Sequence, residues 1–448
     1  MKNLPRKLSL FDAVTLLVGT VIGSGIFVVP SLIAQRIAEP GLVVGIWVFS
    51  GLLVLCGALT LAELGTMLPQ SGGLYVYMRE AYGQFWAYLY GWTLMLVVFP
   101  GSIAALTSTF LLYLQWFVPL TWWAEKALGI GLLLVLAFVN TRGVKKGAGV
   151  QNLFTVFKVA GLVLLVGLAV ITLRGSSANF LPILPERLSR GKLAAIGLSM
   201  VSTLFAYSGW QSVSFVAGEI RDPQKNIPRS IILGVLIVIA AYLGANLTYI
   251  FVLGQPSIAA SERVAADAMS AMIGPVGATL ITLAIVCSTV GAIAASILVG
   301  PRVFFAMARD GVIFPQLGTV HPRFETPANA IWAMAILAGL MTLTGGYEHL
   351  ITMAGFANWI FLTMIALSVV VLRRKHPEWN RPYRVVGYPF TVLFFVIVST
   401  VFVVNTLIES TLSSLMGLVL LLVGIPFYKK RKVSAPFGIP KSGSGSDS

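Results

Sequence analysis

Apolar runs long enough to cross a lipid bilayer recur along the whole of this chain. A membrane-spanning helix needs about 20 mostly apolar residues. The sequence offers twelve such runs, near residues 10–35, 41–67, 84–115, 123–140, 148–173, 193–219, 228–254, 272–307, 327–345, 348–372, 388–408 and 411–428. Only 10% of the 448 residues are charged, whereas 57% are hydrophobic. We therefore predict an all-α polytopic membrane protein with twelve transmembrane helices.

The net charge of +15 is concentrated in the loops of one side. Twelve spans place both termini on the same side, and most Lys and Arg residues fall in the loops and tails of that side. This asymmetry predicts a multi-pass protein of the inner (plasma) membrane with cytoplasmic termini, and no nucleic-acid partner. The loop with Arg174, Arg187, Arg190 and Lys192 departs from this rule. No cleavable signal is expected, because the first residues lead directly into a full-length span.

The first apolar run is interrupted near its middle by Gly23, Ser24 and Gly25. Unwound backbone inside a membrane is tolerated where it lines a cavity or is buried in protein. A half-helix beginning near Gly25 would direct its free N–H groups at an anion such as a carboxylate. The alternative is close packing of helices, which small residues permit.

A second cluster of small and polar residues, 203–215, interrupts the sixth apolar run. Broken spans at positions one and six are typical of two inverted five-helix repeats, with a binding site where the breaks meet. We assign these repeats to residues 10–173 and 193–372, and two further helices to residues 388–428. Residues 1–9 and 429–448 are the predicted cytoplasmic ends, and the last residues form a Ser/Gly-rich tail.

Several motifs resemble one transporter superfamily. They are Ala-Glu-Leu-Gly at residues 62–65 with Pro-Gln-Ser-Gly-Gly-Leu-Tyr-Val-Tyr at 69–77, Phe-Ala-Tyr-Ser-Gly-Trp at 205–210, and Gly-Pro-Arg-Val-Phe-Phe at 300–305. Together they resemble the amino acid–polyamine–organocation (APC) transporters, and in particular a bacterial type of the L-amino acid transporter branch. The resemblance covers about residues 8–388. It implies a LeuT-like fold with broken helices 1 and 6 that works by alternating access.

An α-amino acid presents a carboxylate and an ammonium group to such a site. The predicted contacts are N–H groups and a hydroxyl around Gly23, Ser24 and Gly25, and carbonyl oxygens of Val21, Phe205 and Ser208. Backbone dipoles of this kind bind both charges without a fixed counter-ion. The resemblance implies the same arrangement, with Phe205 as a gate over the ligand; the alternative is that Phe205 is an ordinary core aromatic residue.

Two amides, Gln211 and Asn358, are candidate side-chain contacts to the ligand. Either is equally compatible with a hydrogen bond between helices. The middles of spans one, three, six, eight and ten contain no Asp or Glu, which favours neutral substrates because a second ammonium would need a partner. A cationic amino acid transporter of the same superfamily remains the alternative.

Lys158 lies deep in the fifth span. A charge at this depth costs at least ~2.5 kcal/mol on insertion scales, so a function is favoured over snorkelling. Lys158 also matches a fifth-span lysine of sodium-independent relatives. We expect its ammonium to replace a bound cation, near the carbonyls of Val18, Gly19 or Val21 and the hydroxyls of residues 288–289. The alternative is a proton carrier in a proton-coupled symporter.

Other function classes lack their required residues. No nucleophile–base pair, metal-ligand spacing or repeated filter sequence is visible, so we predict neither an enzyme nor a channel, and no cofactor or metal. Cys56 and Cys287 both lie within spans, and the loop after span three has no cysteine. We therefore predict no disulfide-linked heavy subunit. The predicted function is sodium-independent exchange of neutral L-amino acids.

Overall fold

The computed structural model describes residues 4–344, 347–409 and 411–428. The predicted C-terminal tail, the first three residues and the end of the predicted ninth span lie outside the described residues. Within the described ranges the regular structure is helical, and an isolated parallel bridge joins Leu8 to Ile220.

The described residues of the first half of the chain form eight α-helices. They are α1 Leu10–Val21, α2 Gly25–Ala34, α3 Pro40–Met67, α4 Leu74–Tyr82, α5 Gln84–Thr93, α6 Phe99–Leu114, α7 Trp122–Thr141 and α8 Val144–Thr172. Between α5 and α6 the backbone widens into a π-helical turn, Leu94–Val98, directly before Pro100. Such turns accompany local irregularity in a helix, so this segment is distorted just ahead of Pro100.

Ten α-helices follow in the described second half. They are α9 Arg190–Ala206, α10 Ser212–Phe215, α11 Pro223–Ala260, α12 Val264–Ile273, α13 Pro275–Val299, α14 Pro301–Arg309, α15 Ala328–Thr344, α16 Tyr347–Lys375, α17 Phe390–Glu409 and α18 Thr411–Gly424. The predicted eighth span, 272–307, begins too early. Gly274 has φ of 74° and precedes Pro275, a combination that ends one helix and starts the next.

Nine helical segments among the described residues are long and apolar enough to cross a membrane. Three of the predicted spans are shorter: α9 and α15 have 17 residues each and α18 has 14. The all-helical, polytopic character of the prediction is thus supported. The number of twelve crossings and the inverted repeat stay predictions.

The broken first segment lies inside the bundle. α1 packs against α8, α10, α11 and α13, and α2 packs against α9 and α11. Small residues permit these close approaches: a Cβ added at Gly234 would lie 2.8 Å from Leu17, and one at Gly291 would lie 2.6 Å from Phe154. The bundle therefore holds the break in α1–α2 away from its surface.

Buried ion pairs fasten the end of the bundle at which α1 begins. Arg302 contacts both carboxylate oxygens of Glu219, at 2.7 and 3.0 Å, and both side chains are almost fully buried. Arg373 pairs in the same way with Glu63, at 2.9 and 2.6 Å. These two carboxylates hold neighbouring segments together, which agrees with a structural role for acids at span ends.

Candidate functional site

The break between α1 and α2 leaves the start of α2 unpaired. The N–H of Ile22 still donates to the Val18 carbonyl at 2.9 Å, and that of Gly23 donates to Val21 at 2.8 Å. The first N–H groups of a helix have no acceptor within it, and the Ser24 side chain makes no capping hydrogen bond to α2. A helix end of this kind attracts an anion such as a carboxylate.

A second break separates α9 from α10, as the sequence predicts. α9 ends at Ala206, and Gly209 in the following turn has φ of 110°. This conformation is unfavourable for residues with a side chain. A Cβ at Gly209 would also lie 3.0 Å from the carbonyl carbon and oxygen of Thr20, so the turn and the end of α1 pack directly against each other.

The two breaks contact each other at two points. The Thr20 hydroxyl lies 2.9 Å from the Ser212 hydroxyl and 3.2 Å from the Gly209 carbonyl oxygen. A Cβ added at Gly25 would lie 2.7 Å from the Cα of Ala206. The start of α2 and the end of α9 are therefore in backbone contact. The sequence analysis named Gly25 but not Thr20, although a hydroxyl close to a helix break could have indicated such a contact.

Tyr242 of α11 is a site residue that the sequence analysis missed. Its side chain is fully buried, and its hydroxyl oxygen lies 2.9 Å from the carbonyl oxygens of both Val21 and Ala206. A phenol has one proton, so it donates to one carbonyl at a time. Val21, a predicted acceptor for the ammonium group, thus shares its carbonyl with Tyr242. Because a tyrosine in mid-span needs a hydrogen-bond partner for its hydroxyl, the sequence could have pointed to Tyr242 as a site residue.

Lys158 reaches the break from α8. Its side chain is 1% exposed, and Nζ donates to the carbonyl oxygens of Gly19 at 2.9 Å and Ile22 at 2.6 Å. Ser288 of α13 donates to the same Ile22 carbonyl at 3.2 Å. Gly19 and Ser288 were among the expected neighbours, whereas Ile22 replaces Val18 and Val21. No carboxylate in the described residues forms an ion pair with Lys158.

The predicted gate, Phe205, is 45% exposed, although its neighbours Leu204 and Ala206 are buried. Its carbonyl accepts the N–H of Ser208 at 2.9 Å, and the Ser208 hydroxyl donates to Leu204 at 3.3 Å. The two carbonyl groups predicted here as acceptors for the ammonium group thus lie at the end of α9 and in the turn that follows it. Phe205 is thus half-exposed and not part of the buried core, and its role as a gate stays a prediction.

Two amide oxygens of predicted site residues have no hydrogen-bond partner. They are Oε1 of Gln211 and Oδ1 of Asn358, and both atoms are buried within the described part of the chain. Asn358 as a residue is 8% exposed. A buried polar atom without a partner costs about 1–3 kcal/mol, so a donor from a bound molecule at either oxygen would be stabilising.

Comparison with known proteins gives evidence that is independent of the structure. The family model described as "Amino acid permease" matches residues 8–425. The serine/threonine exchanger SteT of Bacillus subtilis (strain 168) is 33% identical over 96% of this chain and 99% of its own length. The b(0,+)-type amino acid transporter 1 of Homo sapiens is 32% identical over 95% and 88%. The large neutral amino acids transporter small subunit 2 of Mus musculus is 30% identical over 95% and 81%.

Proposed function

We propose that this chain, which belongs to the amino acid permease family of the APC superfamily, exchanges neutral L-amino acids across the cell membrane without sodium. The family and its relatives are amino acid transporters and not enzymes, so transport of an amino acid is the premise. The neutral substrate, the independence from sodium and the exchange mechanism are our proposal.

The observation that carries the proposal is the free N-terminal end of α2 beside the second helix break. N–H groups at Ser24 and Gly25 suit the substrate carboxylate. Carbonyls at Val21, Phe205 and Ser208 suit its ammonium, because each carbonyl oxygen has a second lone pair even where one is in use. The unpartnered oxygens of Gln211 and Asn358, reported above, offer further acceptors.

The buried carboxylates support a neutral substrate. Each one in the described residues already has a cationic partner: Asp12 with Lys145, Glu39 with Lys192, Glu63 with Arg373, Glu219 with Arg302, and Asp310 with Arg79. A substrate with a second ammonium group would therefore find no unpaired buried carboxylate. Burying that charge without a partner is costly, which disfavours the cationic alternative.

Lys158 supports independence from sodium. A sodium site needs several oxygen ligands, whereas the ammonium group of Lys158 already occupies the Gly19 and Ile22 carbonyls at the break.

We infer a LeuT-like arrangement of two inverted repeats, residues 10–173 and 193–372, with twelve crossings, helices 11 and 12 at residues 388–428, and cytoplasmic termini. Nine of these crossings correspond to the long apolar segments, and we assign the remaining three to the shorter helices α9, α15 and α18.

Counterflow in liposomes tests the proposal. Purified protein is reconstituted into vesicles preloaded with unlabelled serine, threonine, leucine or arginine, and uptake of the labelled amino acid is measured in sodium, potassium and choline buffers. We expect stimulation by internal neutral amino acids, equal rates in the three salts, and no stimulation by arginine. A requirement for sodium would contradict the proposal. Accumulation driven by a pH gradient into empty vesicles would instead support the proton-coupled symporter.

Phe205→Ala is expected to impair exchange much more than stability. Loss of the closing ring removes occlusion of the bound substrate, and we expect a rate at least about tenfold lower, equivalent to ~1.4 kcal/mol. Because the ring is half-exposed, its truncation costs less than the 3–5 kcal/mol typical of a buried phenylalanine. Exchange rate and melting temperature are measured together. Phe157→Ala, a similarly exposed ring on α8, should leave both unchanged. An unchanged exchange rate in Phe205→Ala would contradict a gating role for Phe205.

We propose that no partner is attached through a disulfide bond. Cys56 in α3 and Cys287 in α13 are half-buried free thiols within helices, and residues 115–121 between α6 and α7 contain no cysteine. One relative is named a small subunit, so the attachment of a partner to this chain is worth testing. The protein in isolated membranes should migrate identically on reducing and non-reducing gels. A heavier band that reductant removes would contradict this expectation.

A further inference from the structure

A cavity separate from the two helix breaks opens where α11 begins. Its volume is about 540 Å³, and its lining includes Lys225, Arg229, Ile232 and Leu233 of α11 and Tyr383 of the loop before α17. Two cations and an apolar wall thus share one concave surface. None of the residues assigned to the amino acid site lines this cavity.

The two cations are available to a ligand. Lys225 and Arg229 are four residues apart on α11, so they lie on the same face of the helix. Both side chains are exposed, and in the described part of the chain neither forms an ion pair or a side-chain hydrogen bond. The five buried carboxylates named above are all paired elsewhere. Two positive charges therefore line the cavity, and no carboxylate in the described residues forms an ion pair with either of them.

The same face of α11 continues as an exposed apolar stripe. Leu233, Leu236 and Ile237 follow Arg229 at helical spacing and are 46%, 46% and 39% exposed. They belong to a segment apolar enough to cross a membrane, so these side chains lie at the level of the acyl chains. A ligand that fits the whole face has an anionic end and a long apolar body.

The helix that carries the stripe shares α3 as a neighbour with α17. A Cβ at Gly51 would lie 2.9 Å from Ile239 of α11, and one at Gly57 would lie 2.5 Å from Phe395 of α17. Tyr383 precedes α17 and lines the cavity together with Lys225 and Arg229. The cavity thus lies between the start of α11 and the loop before α17, and Leu233 belongs both to its lining and to the apolar stripe.

We propose that this cavity binds the phosphate group of an anionic phospholipid, whose acyl chains lie along the exposed face of α11. A phosphodiester offers oxygens to both cations, and clusters of Lys and Arg at a membrane boundary attract anionic lipids. Free phosphate shares the headgroup chemistry but has no use for the apolar stripe. The proposal concerns a site outside the transport pathway and does not depend on which amino acid is carried.

The test is a lipid titration of the purified full-length protein. Delipidated protein in mild detergent receives dioleoylphosphatidylglycerol, dioleoylphosphatidylcholine or inorganic phosphate, and bound molecules are counted by native mass spectrometry. Wild type should bind the anionic lipid in preference to the neutral one. Removing each cation should weaken this binding about fivefold, so Lys225→Gln with Arg229→Gln should weaken it about 25-fold.

A charge-matched control separates the site from general attraction. Lys146→Gln with Arg323→Gln removes two exposed cations outside the cavity, one at the start of α8 and one in the loop before α15, and should leave lipid binding within about twofold of wild type. Equal loss in both double variants, or no loss in Lys225→Gln with Arg229→Gln, would overturn the proposal. Displacement of the lipid by equimolar phosphate would assign the site to a free anion and also overturn it. If the double variant does not fold, the two single variants test the proposal instead, each by its expected fivefold loss of lipid binding.

Discussion

Replacing Lys158 is expected to lower amino acid exchange by about 100-fold or more in every salt. Its ammonium group donates two charge-assisted hydrogen bonds to the break in α1–α2, each worth about 1.5–3 kcal/mol. Loss of both releases the end of α1 from α8, and 3 kcal/mol alone corresponds to more than 100-fold in rate. Exchange by Lys158→Ala and Lys158→Met is measured beside wild type in sodium, potassium and choline buffers.

The methionine variant distinguishes transport from folding. Met fills much of the space of Lys158 and removes the cost of burying its charge, which offsets the cost of leaving the Gly19 carbonyl without its donor. We therefore expect Lys158→Met to keep a melting temperature near that of wild type while exchange is lost. Lys146→Met, on the exposed start of the same helix, is the matched control and should exchange normally. Normal exchange by either Lys158 variant would remove the cation role from this residue.

Substitution of Gly25 is expected to abolish substrate binding and also to destabilise the protein. Even an alanine Cβ would lie 2.7 Å from the Ala206 Cα, so α2 and α9 must separate. Overpacking of this kind costs about 1–3 kcal/mol. A valine adds bulk beside the N–H groups offered to the carboxylate, so Gly25→Val should show no stabilisation by any amino acid in a thermal-shift screen, where a native-state ligand stabilises by RT ln(1 + [L]/Kd).

Two glycines of α3 separate loss of the site from loss of stability. A Cβ at Gly65 would lie 2.9 Å from a methyl of Ile227, away from the breaks, whereas Gly45 has open space around it. Gly65→Ala should lower the melting temperature yet keep the ligand-induced shift, and Gly45→Ala should change neither. A full ligand-induced shift in Gly25→Val would contradict the assignment of the break in α1–α2 as the carboxylate site.

The helical, membrane-spanning character followed from local features of the sequence. Run length and low charge content predict polytopic helices directly, because hydrocarbon forces the backbone to pair within each segment. Both helix breaks were also readable, since Gly25 and Gly209 stand among small and polar neighbours inside apolar runs. The motifs predicted the superfamily, and the permease family match confirms it.

Contacts between distant residues were decided only by the tertiary structure. The sequence placed Lys158 deep in its span, but whether Nζ reached Val18, Val21 or Ile22 depended on how α8 rotates and slides against α1. Tyr242 lies 221 residues after the Val21 carbonyl that its hydroxyl contacts, and no local pattern reports such a pairing. Composition and periodicity describe each helix by itself, whereas a site built from backbone groups of several helices depends on their packing.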